Sequence, residues 1–360
     1  MQYFLRVGPF RYALDLTVRC AAESIERLYT DYPRHSAEDW SDFHVRLHPD
    51  GLFSSNATLY LDHTNPFGSF PKDQAGAMLE WGMNWCVWLN LSHWLIFHAA
   101  MLERNGGGLI LAADSGVGKS TLAAGLAFSG WRLLSDELTL IDPDDRIELG
   151  MEGAGKQNAG VFRASNRNVE TSENGALGAS NQSVETLGAG QGTAGTPEAG
   201  TSETGKQSTG SVGSASVARM VPIPRPICLK NASIEVLKRF APQAEWGLVY
   251  PETGRKGTVS HIKPLKEAVQ RMDERVCPRW IVFPRYVPGK KATWSRWLKA
   301  ETVIQLGKNS VDYSTLGPKG FETMCRLVDH CDCLRFEYSD LHEAAEQFAR
   351  LAEEDEIPVV

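Results

Sequence analysis

The stretch LILAADSGVGKSTLAAGLAFSGWRLLSDELTLID, from Leu109 to Asp142, determines how the rest of the chain is interpreted. Its first five residues are apolar and predict a short buried strand, and TLAAGLAFSG predicts a helix that ends at Gly130. Between them lies ADSGVGKST, and a glycine-rich loop between a strand and a helix is the context in which a Walker A motif binds phosphate. The full motif has a glycine where this chain has Ala113, and an alanine is tolerated there if its φ is negative. The stretch predicts a site for a nucleoside triphosphate but does not say which reaction follows.

The residues of this loop have different predicted tasks. Gly116 and Gly118 let the backbone amides close around phosphate oxygens. Lys119 is expected to reach the β- and γ-phosphates, and the Ser120 hydroxyl to bind Mg²⁺. The predicted cofactors are therefore ATP and Mg²⁺. The predicted nucleotide-binding set is Asp114, Ser115, Gly116, Val117, Gly118, Lys119, Ser120 and Thr121.

An acidic pair follows the predicted helix. Asp136 and Glu137 come directly after RLLS, which predicts a strand. One carboxylate there can hold Mg²⁺ while the other takes a proton from an attacking hydroxyl. A turn between two strands also carries acids often, but the position after a Walker A motif favours a functional role.

Composition narrows the class of protein. The chain has 360 residues, a formal net charge of −7 and 42% hydrophobic residues, which indicates a globular protein and argues against a general nucleic-acid or anionic-membrane binder. Seven cysteines, an odd number scattered along the chain, do not form a disulfide framework. The first residues lack the pattern of a secretory signal, so a cytoplasmic location is predicted.

Polar residues interrupt the most apolar run, Trp81 to Leu102. We therefore expect a buried, mostly helical core segment that ends near His98, and no membrane span. Residues 151–218 are rich in Gly, Ala, Ser, Thr and Asn without periodicity, which predicts a disordered low-complexity insertion.

Removing the insertion leaves two blocks in which strands alternate with helices, which is typical of the α/β class. We expect residues 1–97 to form a β-rich and helical N-terminal elaboration packed on the core. Residues 98–150 and 219–351 would together form the catalytic domain, a mixed sheet with flanking helices.

Three further segments contain candidate site residues. A lone histidine in apolar company, such as His98, is more often a hydrogen-bonded core residue than a catalytic one. Arg225 lies in PIPRPICLKN, where prolines fix the backbone and present the guanidinium at low entropic cost. His261, Lys263 and Arg285 are interpreted as solvated side chains.

These residues carry a resemblance. HAAMLERNGGGLILAADSGVGKSTL with the later LLSDE resembles the core of the bacterial HPr serine kinase/phosphorylase family. EWGMNW (80–85), GWRLLSDEL (130–138), PIPRPICLKNASI (222–234) and VSHIKP (259–264) more specifically resemble the HprK-related kinase A group. The resemblance implies a P-loop kinase fold of the HPr kinase and phosphoenolpyruvate carboxykinase type.

The resemblance also implies roles for individual residues. Asp136 becomes the general base, and Glu137 becomes a metal ligand with Ser120, although the family has Asp at that second position. His98 becomes a residue that orients Asp136. Arg225 stabilises the transferred charge, although Pro226 replaces the glycine that follows this arginine in the family. Glu103 falls where the family carries an acid of unassigned purpose.

The predicted activity is therefore phosphoryl transfer from ATP to a hydroxyl acceptor, a serine of a protein or peptide. A small-molecule acceptor remains open, as does the reverse phosphorolysis. A second hypothesis is a nucleotide-gated binding protein or maturation ATPase, which would need no acceptor pocket. Neither a nucleic acid nor a membrane is an expected partner, and the resemblance is compatible with a homo-oligomer.

Overall fold

A computed structural model describes residues 1–90, 92–114, 116–148, 216–311 and 315–354. The first seven elements form a curved sheet with two helices, and alternating apolar residues explain its strands: Phe10, Tyr12, Leu14 and Leu16 are buried while Arg11 is exposed. These elements are β1 (Gln2–Val7), β2 (Phe10–Leu16), α1 (Arg19–Leu28), β3 (Phe43–Pro49), β4 (Asn56–Leu61), β5 (Ser69–Pro71) and α2 (Ala75–Asn90). The five strands are hydrogen-bonded in sequential order, and only the β2–β3 pair is parallel.

The middle of the chain contains the glycine loop. Its elements are β6 (Leu95–Phe97), β7 (Ala99–Arg104), β8 (Gly107–Ala112), α3 (Lys119–Ala127), β9 (Arg132–Ser135) and β10 (Thr139–Glu148).

The remaining elements complete the sheets. They are β11 (Ser216–Met220), β12 (Ile227–Lys230), α4 (Ala232–Phe240), β13 (Trp246–Tyr250), β14 (Val259–Ile262), α5 (Lys266–Gln270), β15 (Cys277–Tyr286), β16 (Thr293–Arg296), α6 (Lys299–Asn309), α7 (Gly317–His330), β17 (Asp332–Tyr338) and α8 (Leu341–Glu353).

A six-stranded mixed sheet in the order β16–β17–β15–β8–β7–β9 lies at the centre. Strands β8, β15 and β17 are parallel, and β9 also runs with β8, because β7 is antiparallel to both. All four strands therefore end at the same edge of the sheet, which is where open α/β sheets bind ligands. The glycine loop follows β8 at this edge, and Asp136 follows β9.

Helices cover both faces of this sheet. Leu109 and Leu111 pack with Leu122 and Leu126 of α3, whereas Ile110 contacts a second core cluster that includes Leu327 of α7. The alternation along β8 thus explains why a continuous apolar strand is buried on both faces. The α/β class is confirmed.

The apolar run from Trp81 to Leu102 was expected to be mostly helical, and this expectation is wrong in its second half. Helix α2 ends at Asn90, and His98 lies between strands β6 and β7 rather than at the end of a helix. Strand β6 pairs with β10 and strand β7 with β8. A short apolar run buried on both faces has no period that separates strand from helix. Of the helices in the described ranges, none combines the length and apolar character that a bilayer crossing requires.

The predicted insertion, 151–218, lies outside the described residues except at its end. Residues 216–218 belong to strand β11, which pairs antiparallel with β10. Val217 and Met220 are fully buried, so the last three residues of the predicted insertion belong to a strand that packs into the core, and their prediction as part of a disordered segment is wrong.

Candidate active site

The glycine loop has the backbone that its sequence predicts. Gly116 has a φ of +90° and Gly118 a φ of +97°, a region that residues with a Cβ rarely occupy. Gly118 is the N-cap of α3 and has no side chain with which to cap it. The first amides of α3 are thus left to bind an anion, which the helix dipole also favours. Ser115, a predicted member of the set, lies outside the described residues.

Lys119 is held at the base of the loop. Its side chain is buried, and its Nζ donates a hydrogen bond to the main-chain carbonyl of His98 at 3.1 Å. Burial lowers the pKa of Lys119, while Asp136 and Glu137 oppose that shift. The amine therefore lies in an electrostatic field set by both members of the acidic pair.

Asp136 is the most unusual acid of the site. It is 4% exposed, and among the described residues neither carboxyl oxygen accepts a hydrogen bond of normal geometry, although the Ser120 hydroxyl and the Cys228 amide lie close enough to lower its pKa. Burial and the charge of Glu137 raise the pKa of Asp136 to about 6, against the attraction of Lys119. A buried carboxylate without a partner is costly, so this oxygen pair is suited to a cation or to a donated hydroxyl proton.

Glu137 has a different environment. Burial would raise its pKa, but Lys256, His98 and Lys230 lower it on balance. Glu137 also accepts a hydrogen bond from the Asn84 side chain. It is therefore ionised across the physiological range, whereas Asp136 titrates close to it.

His98 faces this charged group as a neutral imidazole. Burial and the neighbouring Lys119 lower the pKa of His98 to about 4, although Glu137 acts in the opposite direction. Glu137 is the carboxylate whose charge favours the protonated form of His98. A role for His98 in orienting Asp136 stays a prediction.

A cavity of about 440 Å³ is bordered by Lys119, Glu137 and His98 but not by Asp136; we call it the charged cavity. Its lining is His98, Asp114, Gly116, Gly118, Lys119, Ser120, Thr121, Glu137, Cys228, Lys230, Asn231, Ser233 and Lys256. The structure thus brings together most of the predicted nucleotide-binding residues with His98 and Glu137.

Lys256 is a site residue that sequence reasoning missed. Its Nζ lies 3.4 Å from the centroid of the Trp81 ring, a cation–π contact. Trp81 belongs to α2, and Lys256 lies far along the chain in a short helical turn. No local motif marks this lysine, because its position depends on the packing of two distant segments.

Arg225 lies beside the charged cavity but does not line it. Its guanidinium is buried, forms an ion pair with Glu80 at 2.6 Å and donates to the Asn84 side chain. Asn84 in turn donates to Glu137, and Glu80 and Asn84 are four residues apart on α2 and hence on one face. Arg225 therefore reaches the site through Asn84.

A small cavity of about 20 Å³ is lined both by the hydrogen-bonded group of Arg225, Glu80 and Asn84 and by the acidic pair. Glu137 and Cys228 line both this cavity and the charged cavity, while Asp136, Arg225 and His261 line only the small one. Asp136 therefore borders the small cavity rather than the charged cavity, and Glu137 and Cys228 are the lining residues that the two cavities share.

Three predicted surface residues differ in placement. His261 is 1% exposed and Lys263 is buried in an ion pair with Asp31 at 2.8 Å, so their interpretation as solvated is wrong. Both lie on or next to the central strand of a small sheet, β12–β14–β13, which covers them. Arg285 is exposed, as expected.

Glu103 has a structural partner rather than a place in the site. It lies on β7 and forms an ion pair with Arg132 at 2.8 Å, and both side chains are buried. Arg271 approaches the same carboxylate at 3.6 Å.

The described residues contain no cluster of three His, Cys, Asp or Glu side chains that could hold a metal ion by themselves. Ser120, Glu137 and Asp136 nevertheless offer hard oxygen donors, which suit Mg²⁺ when phosphate oxygens and water complete its shell.

A family model described as SynChlorMet cassette protein ScmC matches residues 77–148. The matched stretch contains His98, the glycine loop, Asp136 and Glu137, and it excludes Arg225 and Lys256. No protein of curated function matches the chain.

Proposed function

We propose that the chain is an ATP- and Mg²⁺-dependent kinase of the P-loop type, with the HPr-kinase-like core that the sequence resemblance implies. The proposal rests on the environment of the Asp136 side chain. Its buried carboxylate, with a pKa of about 6, lies at the sheet edge that also holds the glycine loop. A general base works best when its pKa is near the operating pH.

The phosphate groups of ATP occupy the charged cavity in this proposal. The amides of the glycine loop and Lys119 bind them, and Ser120 with Glu137 would hold Mg²⁺. The metal supplies neutralisation of charge on the phosphate oxygens when it is bound. Glu137 suits a metal ligand because its lowered pKa keeps it ionised.

Asp136 accepts the proton of the acceptor hydroxyl. The hydroxyl oxygen then forms a bond to the γ-phosphorus while the bond from that phosphorus to the β–γ bridging oxygen breaks, and ADP leaves. Lys230 and Lys256, which line the same cavity, place two further cations where negative charge develops.

The acceptor that we propose is a serine hydroxyl of a protein or peptide, on the strength of the sequence resemblance. The test uses γ-³²P-ATP and Mg²⁺ with lysate separated into protein and small-molecule fractions. Label should move to the protein fraction, and Asp136→Asn should abolish the transfer. Label in a small molecule would replace the acceptor class, and no transfer to either fraction would overturn the kinase.

One observation favours a second candidate, a nucleotide-gated ATPase. The small cavity beside Asp136 measures about 20 Å³, which is enough for one water molecule. A water held there would be the attacking group, and the label would then appear as inorganic phosphate in the absence of any acceptor. The same assay separates the two candidates.

A further inference from the structure

A second cavity, of about 740 Å³, borders the same glycine loop; we call it the aromatic cavity. It shares Gly116, Gly118, Thr121 and Ser233 with the charged cavity. None of the residues with predicted roles in catalysis or metal binding lines it. Its size is that of a site for a small organic ligand.

Aromatic residues from four elements line it together with charged residues of both signs, and two of the aromatic residues form hydrogen bonds with the loop. The Tyr338 hydroxyl donates to the carbonyl of Gly118 at 3.5 Å, and the amide of Tyr286 donates to the carbonyl of Val117 at 3.4 Å. Both tyrosines are the last residues of their strands. The cavity is therefore built onto the loop and is not a separate surface groove.

The wall opposite these contacts includes a pair of rings. Phe240 ends α4 and His342 lies in the first turn of α8, and their ring centroids are 4.5 Å apart. Phe240 is partly buried against a core cluster, and His342 is exposed. A flat heteroaromatic ligand gains about 1–3 kcal/mol by stacking on such a surface.

The glycine loop gives the triphosphate a direction. Lys119 and the magnesium-binding Ser120 act on the β- and γ-phosphates, and loop amides bind the α- and β-phosphates. Lys119, Ser120 and Glu137 line only the charged cavity, whereas Thr121 lines both cavities. The γ-phosphate end therefore belongs in the charged cavity, and the nucleoside end points toward the aromatic cavity.

We propose that the aromatic cavity binds the base and ribose of the nucleotide, with Phe240 and His342 as the stacking surface. This inference rests on the proposed nucleotide site. The acceptor is then assigned to the side of the charged cavity, next to the γ-phosphate, because the nucleoside fills the aromatic cavity.

The experiment compares two probes by calorimetry, MgATP and magnesium tripolyphosphate. Both carry three linked phosphates, and only ATP carries a nucleoside. The variants are Phe240→Ala and the exposed His342→Ala, with Phe321→Ala on α7 as the control, since Phe321 is 50% exposed. Phe240→Ala should weaken ATP binding about 10-fold, His342→Ala should weaken it less, and neither should change tripolyphosphate binding.

Each outcome decides the matter. Equal binding of both probes by the wild-type protein, or variants that weaken both probes alike, would overturn the base subsite and leave the phosphate site intact. Failure of the wild-type protein to bind either probe would overturn the proposed function itself. Because His342 is exposed, its variant keeps the test valid if Phe240→Ala does not fold.

Discussion

The two cavities at the glycine loop share the loop but differ in the rest of their lining. The charged cavity contains three lysines, Asp114, Glu137 and a neutral histidine, while the aromatic cavity has four aromatic rings, from Phe240, Tyr286, Tyr338 and His342, beside Arg239, Arg285 and Asp340. Charged groups that are brought together are costly unless a ligand of opposite charge completes them. Stacking surfaces gain by covering apolar area. Under the proposed function, this difference matches the two chemically distinct parts of a nucleotide.

The comparison also separates chemistry from affinity. A change in the charged cavity should act on phosphoryl transfer, and a change in the aromatic cavity should act on nucleotide binding alone. A variant of the charged cavity that changes only nucleotide affinity, or a variant of the aromatic cavity that slows transfer at saturating nucleotide, would show that the two cavities do not divide the ligand in this way.

The largest effect is expected at Lys119. Lys119→Met removes the only cation that the loop itself places in the charged cavity, and transfer should fall by at least about 10³-fold. Transfer is measured as the initial rate with γ-labelled ATP. Lys308→Met, at an exposed position of α6, is the matched control. A Lys119 variant that keeps a tenth of the wild-type rate would remove the loop from the mechanism.

Asp136→Asn should produce the next largest effect and should sharpen the division between chemistry and binding. Loss of a general base costs about 10²–10⁴-fold in rate, whereas the affinity for ATP measured by calorimetry should change little. Glu137→Gln is the companion variant, and it should raise the Mg²⁺ concentration needed for half-maximal rate. If Asp136→Asn instead raises the Mg²⁺ requirement and Glu137→Gln instead lowers the rate at saturating Mg²⁺, then Glu137 is the base and Asp136 the metal ligand.

The sequence predicted the glycine loop and the acidic pair because both depend on contiguous residues. A strand, two glycines and a helix N-terminus determine the local backbone whatever surrounds them, and the strand after the helix returns to the same edge. The structure accordingly places Lys119 and Glu137 in one cavity.

The rest of the site depends on contacts between distant segments. Lys256 is positioned by Trp81, and Arg225 is engaged by Glu80 and Asn84 of α2. No period or motif encodes such contacts, so the expected direct role of Arg225 could not be separated from a role through Asn84. His98 was assigned to a helix because a short apolar run lacks a period that identifies it as a strand.

Arg225 gives a smaller effect that tests whether it acts through Asn84. Arg225→Met should lower the rate about 10–100-fold, as is usual for residues that position a metal ligand. It should also lower the free energy of unfolding by about 3–5 kcal/mol, because Glu80 is left buried without its counter-ion. Denaturant unfolding and the Mg²⁺ dependence of the rate are the two measurements.

The double variant Glu80→Gln/Arg225→Met separates the two contributions. Removing both charges should recover most of the lost stability, but the rate and the Mg²⁺ dependence should stay impaired because the contact to Asn84 is still absent. If the rate recovers with stability, Arg225 has only a structural role.

The smallest effect concerns His261, which lines the small cavity beside Asp136 and whose ring nitrogens have no hydrogen-bond partner among the described residues. Burial lowers the pKa of His261, partly offset by Glu80 and Glu137. Below a pH of about 6.5 the unfolded chain binds a proton at this histidine that the folded chain does not bind, so the free energy of unfolding falls as the pH decreases. His261→Phe should therefore reduce the loss of stability between pH 7 and pH 5, by at most about 2 kcal/mol.

Denaturant unfolding at both pH values measures this difference, and His63→Phe, at an exposed position, is the control for loss of one imidazole. An unchanged pH dependence in His261→Phe would mean that this ring binds its proton as readily in the folded protein as in the unfolded chain, so that burial in the small cavity does not lower its pKa.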